Sequence, residues 1–78
     1  MIKVRSHFNC YLLAHAQGKI VIAKSKVERA GSLHEALDNE RNRLIELALR
    51  FEDRGDKELS LNVWSEVDTI AHMMATLV

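Results

Sequence analysis

The amino-acid sequence predicts an α+β fold, with an N-terminal β-hairpin packed on a C-terminal antiparallel pair of helices in a single domain, residues 1–78. Three features carry that prediction. Apolar and polar residues alternate near the N-terminus, a capped helical spacing occupies residues 32–54, and a second one occupies residues 56–77 with almost no connection between them.

In the first thirty residues Ile2, Val4, Phe8, Cys10 and Leu12 alternate with Lys3, Arg5, His7, Asn9 and Tyr11. A period of two is expected of a strand with one buried face. Gln17-Gly18 supplies a turn, and Lys19-Ile20-Val21-Ile22 is rich in the β-branched residues that strands favour. The same stretch also places Leu13, Ala16, Ile20, Ala23, Val27 and Ala30 at 3–4 spacing, which makes an all-α three-helix bundle the alternative. Gly18 inside such a helix costs about 1 kcal/mol relative to alanine, so the hairpin is the preferred reading. A two-stranded ribbon is marginal alone in water and must pack on the helices or on a second chain.

The first helix opens with a capping box. Ser32 can accept an orphan backbone N–H of the first turn, and Glu35, three residues on, can reach back to the serine N–H. Leu33, Leu37, Leu44, Leu47, Ala48 and Phe51 then recur at helical spacing, and Glu46 and Arg50 are placed for an i,i+4 pair. Gly55 supplies a left-handed C-terminal cap after Arg50 and Arg54. Asp56 is positioned to cap the next helix, whose stripe is Leu59, Val63, Val67, Ile70, Met74 and Leu77. A connection this short makes the two helices antiparallel neighbours.

Both helices carry more apolar surface than one neighbour can bury. In the second, Trp64, Ala71 and Val78 widen the stripe on one flank and Met73 on the other, giving an arc of roughly 180° against the ~100° one packed neighbour needs. Ile45 and Leu49 lie outside the main stripe of the first. The excess is accounted for by the N-terminal segment, by a second copy in a homodimer, or by a partner protein. Ile45, Leu49, Trp64 and Met73 are the candidate partner-binding residues.

Length makes oligomerisation an early expectation, because a chain of 78 residues buries only about 60% of its unfolded surface. Cys10, the one cysteine, excludes an internal disulfide and fits a reducing, cytoplasmic setting. No window approaches the ~20 apolar residues of a membrane span, and no signal-peptide pattern opens the chain. The zero net charge hides a division: residues 1–30 hold six basic side chains against one acid, and residues 31–78 hold five against ten. Such asymmetry is read either as mutual attraction of the halves or as a nucleic-acid-facing surface built from Lys3, Arg5, Lys19, Lys24, Lys26 and Arg29.

Leu44, Leu47, Ala48, Phe51, Gly55, Ser60, Trp64 and Val67 fall at the spacing of a single tetratricopeptide-type hairpin, and residues 41–74 resemble one. The resemblance implies that the small residue Ser60 lets the helices approach and that Trp64 fills the groove between them. Ser60 and Val67 stand where that family has alanine, its terminal proline is missing, and no second repeat is present. The stretch from Phe51 through Gly55 to Trp64 is also similar to short helical regulators of enterobacterial plasmids and prophages, without the paired arginines expected after the glycine.

Little in the chain speaks for chemistry. His7, Cys10 and His15, with His34 or His72 as a fourth ligand, lack the spacing of a structural zinc site. On a single strand His7 and Cys10 would also point to opposite faces. A Cys–His nucleophile needs a pocket that 8.9 kDa hardly provides. The acids Glu35, Asp38, Glu46 and Asp53 read as solvated side chains, and the three glycines are scattered rather than gathered in a phosphate loop. The expectation is a non-enzymatic, cofactor-free, protein-binding regulator or adaptor of bacterial or phage type. The alternative is a small dimeric DNA-binding regulator using the basic N-terminal segment.

Overall fold

The computed structural model describes residues 3–6, 8–15 and 18–77. Their order is β1 (Lys3–Ser6), β2 (Cys10–His15), β3 (Gly18–Ala23), α1 (Lys24–Ala30), α2 (Leu33–Arg54) and α3 (Lys57–Thr76). The strands form an antiparallel meander in the order β1-β2-β3, and α2 and α3 pack as an antiparallel hairpin. The α+β prediction holds, with three strands where a two-stranded hairpin was expected and with a short helix at residues 24–30 that was not expected.

The sheet corrects the parity read from the sequence. The alternation over residues 2–12 implies one strand burying its even positions. The chain instead leaves β1 at Ser6 and re-enters the sheet at Cys10, so Ser6 faces Tyr11 and Val4 faces Leu13. Tyr11 and Leu13 then point into the core, with Leu13 fully buried, while Phe8 is 94% exposed and Val4 43%. On β3, Ile20 and Ile22 turn inward and Val21 outward, as the β-branched run allows. Gly18 is the first residue of β3, paired with His15; Gln17 of the expected turn lies outside the described residues, as do Ile2 and His7 of the alternation and Ala16 of the helical alternative. That alternative survives only in α1, where Val27 and Ala30 pack on the core. Its start is tied to the sheet by the Lys24 N–H donating to the Asn9 carbonyl at 3.0 Å.

Local chemistry explains the helix ends. Gly31 (φ 92°) and Gly55 (φ 82°) take the left-handed conformation that β-carbons disfavour. Beyond Gly55, the Asp56 N–H bonds the Phe51 carbonyl and the Gly55 N–H bonds the Glu52 carbonyl, which satisfies two otherwise orphaned acceptors. Ser32 Oγ accepts from the Glu35 N–H at 3.1 Å, the serine half of the capping box. Asp56 occupies the N-cap position of α3 but makes no side-chain cap hydrogen bond, contrary to expectation. The ion pairs on α2 are Arg41–Asp38 and Arg43–Glu40 at i,i+3, rather than the expected Glu46–Arg50.

One core joins sheet and helices. Leu13 and Ile22 from the strands meet Ala36, Leu37 and Leu44 from α2 and Ile70 and Met73 from α3. Among the described residues, no helix is long and apolar enough to cross a membrane.

Candidate functional site

The four residues expected at a partner surface are separated by the structure. Met73 is fully buried and is corrected to a core residue; its neighbour Met74, expected in the core, is only partly buried. The reason is tertiary. The sheet covers the side of α3 that carries Ile70 and Met73, which rotates the buried centre toward Met73. The N-terminal segment therefore absorbs one flank of the apolar excess and leaves the other open.

On the open flank, Arg41, Ile45, Leu49 and Glu52 follow one another at 3–4 spacing along α2. Leu49 is 49% exposed, and Ile45 is partly buried. Trp64 reaches the same flank from α3, donating its indole N–H to Glu52 Oε1 at 2.9 Å. The same carboxylate oxygen accepts from the hydroxyl of Ser60 at 3.3 Å, and Ser60 is 3% exposed between the helices. Glu52 thus holds both polar groups at once and fixes the orientation of the indole. Leu61, missed in the sequence because it stands off the stripe, is 68% exposed and lines a depression with Glu52, Lys57 and Ser60. Nearby on α2, Arg41 bonds Asp38 through Nη2 at 2.5 Å, while its Nε is buried without a hydrogen-bond partner among the described residues.

The basic N-terminal residues also divide. Lys3, Ala14 and Lys19 form one row across the sheet, and Arg5, Leu12 and Val21 form the next. Paired residues share a face and alternate residues change face, so these six lie on the side opposite Leu13, Ile20 and Ile22. Lys3, Arg5, Leu12, Ala14 and Lys19 line a depression of about 180 Å³, and Val21 on the same face is 62% exposed. Lys24 lies elsewhere, with its ammonium 5.4 Å from the Tyr11 ring centroid. Lys26 pairs with Glu40 at 3.4 Å, and Arg29 borders a groove between α1 and α2.

Glu40 is the centre of the electrostatics. The hydrogen bond from Arg43 lowers its carboxyl below the usual 4.5, and burial opposes the shift without cancelling it. Lys26 adds to the lowering, and the guanidinium of Arg43 is raised in turn by Glu40. Among the described residues, Lys26–Glu40 is the ion pair that joins the basic and acidic parts of the chain. The others are local to one helix.

Cys10 and His15 stand at opposite ends of β2, His34 and His72 lie on different helices, and His7 lies outside the described residues. Among the described residues, no three His, Cys, Asp or Glu side chains gather where they could share a metal ion. No protein family, curated protein or solved structure matches the chain.

Proposed function

We propose that this protein is a non-enzymatic protein-binding regulator or adaptor that occupies a partner surface through the open flank of α2 and α3. The observation that supports this reading is Trp64, a partly buried indole held by Glu52, which stands one helical turn after the exposed Leu49. Tryptophan is enriched among residues that dominate binding energy, and an indole already oriented by a hydrogen bond loses little further freedom on binding. Ile45 and Leu61 extend the apolar contact.

The test is Leu49→Asp. A partner captured by the wild-type chain and then purified should bind Leu49→Asp at least about 100-fold more weakly, since a charge is placed in a desolvated contact. Far-ultraviolet circular dichroism should be unchanged, because residue 49 is half exposed. Binding should also shift the emission of Trp64, the single tryptophan. Retained affinity in Leu49→Asp would place the contact elsewhere. Sedimentation of the chain alone distinguishes the occupants: a dimer abolished by Leu49→Asp assigns the flank to a second copy, and a monomer assigns it to a different protein.

A further inference from the structure

We propose that the outer face of the sheet binds double-stranded DNA across its major groove, with Lys3 and Arg5 toward one phosphate wall and Lys19 toward the other. The two basic residues of β1 and the one of β3 flank the middle strand, which contributes Leu12 and Ala14 to this face. Strands lie about 4.8 Å apart, so the outer two are about 9.6 Å apart. The major groove of B-form DNA is about 12 Å wide, close to the span between the outer strand axes, so the face lies over the groove mouth with a cationic side chain near each phosphate wall. The apolar floor of Leu12 and Ala14 suits thymine methyl groups. Charge complementarity supports the occupant: the three strands contain no acid, and among the described residues Lys3, Arg5 and Lys19 enter no ion pair, although Lys19 also borders a depression that Glu40 and Glu66 line from the helices.

Other polyanions fit less well. An RNA duplex has a major groove too deep and narrow to enter, and single strands are held by aromatic platforms. Among the described residues, the strands place no aromatic side chain on this face: Tyr11 belongs to the opposite one, and Phe8 stands exposed in the turn between β1 and β2. A second copy is disfavoured on symmetry. A two-fold contact through this face would oppose like charges, and a contact between the sheet of one copy and the acidic helices of the next does not close on itself.

The experiment is a fluorescence anisotropy titration of the full chain into a labelled mixed-sequence DNA duplex at a series of salt concentrations. Three phosphate contacts predict that affinity falls about 40-fold between 50 and 200 mM salt. The triple substitution Lys3→Gln, Arg5→Gln, Lys19→Gln should abolish that dependence. Lys3→Arg with Lys19→Arg should preserve it, and so should an equal loss of charge on the helices, Arg50→Gln, Arg54→Gln, Lys57→Gln. Absence of binding at low salt would overturn the proposal. So would equal weakening by the helical triple, or equal affinity for RNA duplex or single strands. Salt-sensitive self-association that the sheet triple removes would assign the face to a second copy, which also overturns it.

Discussion

Removing the carboxylate of Glu52 should cost stability mainly through Ser60, a residue on the other helix. Ser60 is 3% exposed, and its hydroxyl donates to Glu52 Oε1 at 3.3 Å. A Glu52→Ala chain leaves that hydroxyl buried without its acceptor, a loss of about 1–3 kcal/mol. Trp64 also loses an acceptor, but its indole N–H lies near the surface, where water replaces it. Glu52 itself is exposed, so screening removes most of its charge contribution and the expected cost is about 1.5 kcal/mol. With ~2.1 cal/mol/K of unfolding entropy per residue, a chain of this length should melt about 9 °C lower. Ser60→Ala alone should cost about 1 kcal/mol. In the Glu52→Ala background it should be neutral or stabilising, because it deletes a group that no longer has a partner. A double-mutant cycle should therefore show coupling of about 1 kcal/mol. Thermal and urea unfolding, followed by circular dichroism and by Trp64 emission, supply the four stabilities. Additivity within about 0.3 kcal/mol would refute the reasoning. The Ser60 hydroxyl would then be satisfied without Glu52, for instance by the carbonyl of Asp56 one turn earlier.

Two further outcomes follow from the core and the ion pairs. Met73→Ala should destabilise by about 3 kcal/mol as a fully buried truncation, and Met74→Ala by less than half of that, measured by urea denaturation. A larger loss at Met74 would contradict the rotation of α3. The carboxyl of Glu40 is lowered in the folded chain, so its contribution is complete above the ordinary value of 4.5 and is lost as pH falls through the lower folded value. Denaturation midpoints measured from neutral pH downward should show that loss, and Glu40→Gln should flatten the acid limb; an unchanged slope would mean the pair contributes nothing.

The helices were legible in the sequence because their signals are local. Ser32 caps through its own side chain, and Gly55 adopts a conformation that its missing β-carbon permits. The 3–4 apolar spacing then specifies which side is buried, except at the start of α3, where Leu59 of the stripe is 47% exposed and Ser60 beside it is buried. The open flank was partly legible for the same reason, since Leu49 and Trp64 stand off the centre of their stripes. Leu61 was not, because a single apolar residue on a polar side carries no periodic signal.

The sheet was legible in type but not in parity. A period of two marks a strand, yet a turn after Ser6 reverses the chain, and the face that β2 buries is then set by β3 and the helices. That is why Phe8 and Leu12 exchanged roles with Tyr11 and Leu13. α1 was hidden because seven residues with two core contacts give too short a pattern to separate from a strand end. Met73 and Met74 differ by one step of about 100° on a wide apolar arc, so either could face inward until a second layer covered one side. The sequence by itself determined two antiparallel helices joined at Gly55, a basic N-terminal segment and an apolar excess, and left that segment between a hairpin and a helix. The tertiary structure decided which flank of that excess the sheet covers and which cations share its outer face, because those outcomes depend on register and packing between segments far apart in the chain.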